Sequence, residues 1–135
     1  MPSRPTVLFV CLHGSAKSLI AAEHFRRLAA EHGRPVETTS AGVEPDAEVP
    51  QHVVAGLRTD GFDVLGRRPR PLTDDAVHQA DLVVSFGCDL DGRLREQAAA
   101  RPVIRWDDVP AVSDGYEAAR DEIVRRLVPL LDELP

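Results

Sequence analysis

Thr6-Val7-Leu8-Phe9-Val10-Cys11-Leu12-His13-Gly14-Ser15-Ala16-Lys17-Ser18 is the stretch that decides the fold. Residues 6–10 are a short, unbroken apolar run, the pattern of a strand buried on both faces. A cysteine ends the run and a loop of small residues follows. From Ser18 onward, Leu19, Ala22, Phe25 and Leu28 or Ala29 recur at helical spacing. A strand–loop–helix turn of this kind aims backbone N–H groups and a helix N-terminus at one point, which attracts anions. The same field favours Cys11 as thiolate, the nucleophilic form. Cys11 is therefore the candidate nucleophile, and Leu12, His13, Gly14, Ser15, Ala16, Lys17 and Ser18 are the candidate oxyanion-binding residues. Ser18 is read as the helix N-cap, with a hydroxyl that can also donate to the Cys11 sulfur.

Outward from this unit, strands and helices alternate. Gly33 and Pro35 end the first helix. Residues 36–40 read as a second strand, whose polar alternation places it near an edge. An acidic loop with Glu44, Asp46 and Glu48 follows, and Pro50 starts a helix that runs to Gly61. Residues 62–72 are irregular and basic; Arg67, Arg68 and Arg70 form a solvated loop or steer anions. Thr73 caps a short helix to Ala80, residues 81–86 form a third strand, residues 90–100 a helix and residues 102–106 a fourth strand. Ser113 is expected to cap a last helix with Tyr116, Ala119, Ile123 and Leu127 on one face, kinked or ended by Pro129. This order predicts an α/β fold, a four-stranded parallel sheet between two helical layers. Ligands in such folds sit beyond the carboxyl ends of the strands. Cys11, Cys88 and the pair Asp107-Asp108 all fall there.

The 135 residues read as one domain, 1–135. Sixteen basic against twenty-two acidic residues give a net charge of −6, which argues against nucleic acid or an anionic membrane as partner. No apolar run is long enough to span a bilayer, and Met1-Pro2-Ser3-Arg4-Pro5 leads straight into a strand without signal-peptide character. The expected location is the cytoplasm. Two cysteines make no disulfide framework, and neither has metal-site spacing with a histidine pair, so neither a metal nor an organic cofactor is expected. Of the sixteen basic residues only one is a lysine, and it is Lys17, inside the loop.

A thiolate displacing an alkoxide from phosphorus needs a proton delivered to the leaving oxygen. A carboxylic acid at Asp107 or Asp108 can supply it and later assist a water that attacks the phosphocysteine. Cys88 reads either as a packed small residue at a strand end or as a resolving thiol.

These residues resemble the low-molecular-weight protein-tyrosine phosphatases and the related thioredoxin-coupled arsenate reductases. The resemblance is carried by Cys11-x5-Lys17-Ser18, Ala21-Ala22-Glu23-His24-Phe25, Ser40-Ala41-Gly42, Asp81-Leu82-Val83-Val84 and Trp106-Asp107-Asp108, in that order over nearly the whole chain. It implies a flavodoxin-like, phosphotyrosine phosphatase I-like sheet and a cysteine that forms a covalent adduct with phosphate or arsenate. The departures are equally specific. Lys17 stands where the family loop has arginine, and an ammonium lacks the fork that grips two equatorial oxygens. Gly14 replaces an asparagine, and Ala16 replaces a cysteine often found in the loop. Asp108-Val109-Pro110 interrupts the family's Asp-Pro pair. Ala111-Val112 stands where the phosphatases place an aromatic residue. Phe86-Gly87-Cys88 resembles the strand-end cysteine of the reductases, yet Asp89-Leu90-Asp91-Gly92 offers no further cysteine to complete a relay.

The expected function is a cysteine-dependent phosphatase acting on a phosphorylated small molecule or protein. The alternatives are an arsenate reductase-like enzyme using Cys11, Cys88 and an external thiol, and a catalytically weak oxyanion-binding protein.

Overall fold

A computed structural model of the chain describes residues 4–87 and 102–134. Strands β1 (Thr6–Cys11), β2 (Glu37–Gly42), β3 (Leu82–Ser85) and β4 (Val103–Arg105) form one parallel sheet in the order β2-β1-β3-β4. The described helices are α1 (Lys17–Glu31), α2 (Gln51–Thr59), α3 (Asp74–Gln79) and α4 (Tyr116–Leu130). Short 3₁₀ turns at Val112–Asp114 and Leu131–Glu133 flank α4. The helix expected over 90–100, and Cys88 with it, lie outside the described residues.

The continuous apolar run of β1 is buried on both faces. Val7, Leu8, Phe9 and Val10 have no exposed surface. Alternation along the strand sends Val7 and Phe9 into one core with Ile20, Phe25, Ile123 and Leu127, and Leu8 and Val10 into another with Val77, Ala80 and Val83. Removing such a side chain from water contributes about 1.5–3 kcal/mol. The sheet thus lies between α1 and α4 on one side and α3 on the other, the predicted α/β arrangement. β2, read as near-edge, is an edge strand. The chain passes from β1 to its two neighbours in opposite directions, so a crevice opens beyond the carboxyl end of β1, where Cys11 sits.

Of the three expected helix caps, one forms. Thr73 caps α3, its Oγ1 accepting from Ala76 N–H at 3.1 Å. Ser18 does not cap α1: the helix begins one residue earlier, at Lys17, after Ala16, and the Ser18 hydroxyl is spent on Cys11. Ser113 does not cap α4 either. It sits in the 3₁₀ turn, and Gly115 occupies the cap position. Pro129 lies in the last turn of α4, which ends one residue later. No helix among the described residues is long and apolar enough to cross a membrane.

Candidate active site

Cys11 is the last residue of β1, paired in register with Gly42 of β2. Its side chain is buried. Ser18 Oγ stands 3.0 Å from the sulfur, and Gly14 N–H donates to it at 3.2 Å. The loop from 12 to 16 therefore curls back around the nucleophile. It can do so because Gly14 takes φ +63°, a left-handed conformation costly for a residue with a Cβ.

The loop's outer side is strapped to the acidic segment after β2. The carbonyls of Cys11, Leu12 and His13 accept from the N–H groups of Val43, Glu44 and Asp46 at 3.3, 2.7 and 3.1 Å. Those carbonyls are thereby committed away from the sulfur. Side chains reinforce the strap: buried Ser15 donates to Asp46 Oδ2 at 2.7 Å, while His13 Nδ1 lies 3.0 Å from the Glu44 carbonyl and 3.4 Å from Asp46 Oδ1. Of the segment's three carboxylates, Glu44, Asp46 and Glu48, one faces the pocket above the sulfur. Asp46 is the one that lines it, and it does so as a brace for the loop.

Above the sulfur is a pocket of about 300 Å³. Cys11 and the loop residues Leu12, His13, Ser15, Ala16 and Lys17 form its floor. Asp46, Pro50 and His52 form one wall; Phe86, Ala111, Val112 and Ser113 form the other. Pro50, His52 and Ser113 were not read from the sequence as site residues, because only the path of the chain through space brings them to the loop. Tyr116 contributes no ring here. Its hydroxyl donates to Asp60 Oδ2 at 2.7 Å, and its ring packs where a Cβ on Gly56 would stand.

Lys17 lines the pocket, and its Nζ donates to the Val109 carbonyl at 2.9 Å. It thus links the loop to the segment carrying the two aspartates. Asp107 and Asp108 follow β4, and neither side chain lines the pocket. Asp108 is bound to Arg126 at 2.8 Å, and the hydrogen bond from that guanidinium holds its carboxyl below the usual range. Asp107, 3.6 Å from Arg105, lies beside Gly87 at the end of β3. Among the described residues no cluster of three metal-ligating side chains occurs.

This assembly has the form to hold a tetrahedral oxyanion over a cysteine sulfur. A protein of Halobacterium salinarum, provisionally named an arsenate reductase, is 31% identical over 93% of this chain and 89% of its own length. A mutant of YwlE from Bacillus subtilis superposes with a TM-score of 0.79 at 25% identity, covering 96% of this chain and 97% of that one. The thioredoxin-dependent arsenate reductase Cg_ArsC1' of Corynebacterium glutamicum gives a TM-score of 0.72 at 28% identity, over 96% of this chain and 61% of that one. The sequence profile of the low molecular weight phosphotyrosine protein phosphatases matches residues 6–134. With the profile spanning almost the whole chain and the loop built around a buried cysteine, the protein belongs to that phosphatase family.

Proposed function

We propose that this chain, working as one domain, is a cysteine-dependent phosphatase that hydrolyses a phosphomonoester through a phosphocysteine intermediate. The observation that carries this reading is the placement of Cys11 Sγ between Ser18 Oγ and Gly14 N–H at the floor of a pocket. The phosphoryl group sits on the backbone N–H groups of residues 12 to 17, with Lys17 as the cation. The sulfur attacks phosphorus, the S–P bond forms and the bond to the leaving oxygen breaks. The proton for that oxygen comes from a carboxylic acid. Asp108 is engaged by Arg126 at 2.8 Å, whereas Arg105 stays 3.6 Å from Asp107, so Asp107 is the freer of the two to take this role. A water then attacks the phosphocysteine and regenerates Cys11.

The test is hydrolysis of an aryl phosphate by the wild type and by Cys11→Ser. Turnover is expected in the first and absent in the second, while inorganic phosphate still binds the variant, because the cradle is backbone. Hydrolysis retained by Cys11→Ser would remove Cys11 as nucleophile. Phosphate binding without any turnover in the wild type would favour an oxyanion-binding protein. A second reading, an arsenate reductase-like reaction finished by an external thiol, is favoured by the names of the two arsenate reductase relatives. Arsenate-dependent oxidation of a thiol, measured beside aryl phosphate hydrolysis, separates it from the first.

A further inference from the structure

A second cavity, of about 400 Å³, uses the same loop as a wall through Gly14 but shares no lining residue with the pocket above Cys11. Its volume is within the range of small-ligand sites. Its chemistry is unlike the rest of this acidic chain. Arg26, Arg67, Arg68 and Arg70 line it, four of the sixteen basic residues of a protein with net charge −6. The sequence shows three of these arginines as a basic loop; the fold adds Arg26 from α1 and, at their centre, Glu23.

Glu23 is buried, with a side-chain exposure of 6%. Arg26 contacts its carboxylate at 3.1 Å and Arg67 at 2.8 Å; the Arg67 contact is close enough for an ion pair but not aligned as a hydrogen bond. A buried carboxylate must be paired, which accounts for those two guanidinium groups. It does not account for Arg68 and Arg70. Neither has an ion-pair partner among the described residues, yet both line the same cavity and raise its positive charge further. One carboxylate against four guanidinium groups leaves an excess that an anion would relieve. Guanidinium forks match the paired oxygens of a phosphate.

We infer that this cavity is a second oxyanion site, which takes a phosphate group, free or carried by a small molecule, on Arg68 and Arg70, with Arg67 steadied by Glu23. Its position ties it to the Cys11 loop. Gly14, which walls the cavity, is the residue whose N–H donates to the Cys11 sulfur. The inference concerns binding and goes beyond the hydrolytic reading.

Calorimetric titration of inorganic phosphate into the wild type and into the double variant Arg68→Ala/Arg70→Ala tests it. Both side chains are exposed, so the variant is expected to keep the wild-type Tm. The expected result is one phosphate fewer per chain in the variant. That difference holds whether or not the Cys11 loop itself binds phosphate, so a failure of the phosphatase reading would not imitate a failure here. Equal stoichiometry in the two proteins would overturn the inference. Competition by AMP for the phosphate lost in the variant identifies an organic phosphate as the ligand; its absence identifies the free ion.

Discussion

Gly14 and Gly42 pack backbone against backbone. A Cβ on Gly14 would stand 2.6 Å from the Gly42 nitrogen, and one on Gly42 would stand 2.5 Å from the Gly14 nitrogen. The loop can curl beneath the Cys11 sulfur only because the end of the neighbouring strand offers no side chain. Gly42→Ala is therefore expected to cost about 1–3 kcal/mol of stability and to weaken phosphate binding, since rigid backbone must yield. Gly33→Ala is the control. Gly33 is also left-handed, at φ +69°, but its Cβ would meet open space, so only a conformational cost of roughly 1–2 kcal/mol is expected. Chemical denaturation and phosphate titration of both variants distinguish a clash in the site from simple strain.

Lys17→Arg is expected to raise kcat on an aryl phosphate by roughly ten- to a hundredfold, with little change in KM. On the phosphatase reading, ground-state phosphate rests on the backbone cradle in both proteins. A planar fork meets two equatorial oxygens of the flattened transition state, and one added charge-assisted hydrogen bond is worth about 1.5–3 kcal/mol. The contrary case is that the ammonium matters for its bond to the Val109 carbonyl. An inactive, folded Arg variant would establish that case, with Lys17 serving to seat the aspartate segment.

The two aspartates should separate kinetically. Asp107→Asn is expected to lower kcat by about 10²–10⁴ on a phosphate ester with a poor leaving group, and by much less on an activated aryl ester that departs without a proton. Asp108→Asn is expected to have a small effect on both, because that carboxylate is taken up by its ion pair with Arg126. A leaving-group-dependent loss in Asp108→Asn instead would reverse the assignment.

His24 ties stability to pH. Burial lowers its pKa below the ordinary imidazole value, while Asp60, 3.2 Å from Nε2, and the more distant Arg27 and Arg120 act on it with opposite signs. The folded state thus favours neutral His24, and the unfolded chain takes up its proton first. This contribution is fully present above pH about 6.5 and declines as pH falls from there toward the lower folded value. Urea midpoints at pH 7.5 and 5.5 are expected to differ more for the wild type than for His24→Gln, whose amide can still donate to Asp60. Equal differences would show that other groups carry the pH dependence.

The sequence by itself determined the sheet, the place of Cys11 at the end of β1 and the loop that follows it. The unbroken apolar run of β1 requires burial on both faces, and the helical spacing after Ser18 requires a helix, so Cys11 must stand at a turn between them. These are local patterns, legible because strand and helix periodicities repeat within a few residues. Local rules also account for the two misplaced caps: Ser18 and Ser113 have capping chemistry, but a sulfur claims one hydroxyl and a 3₁₀ turn displaces the other. Tertiary structure alone decided the partners. Ser15 meets Asp46 across 31 positions, and Lys17 meets the Val109 carbonyl across 92. It decided that Asp108 is engaged by Arg126, and that Glu23, Arg26 and the basic loop enclose one cavity. A hydrogen bond or ion pair depends on a few ångströms between atoms of distant segments, and no periodicity within a segment encodes that distance.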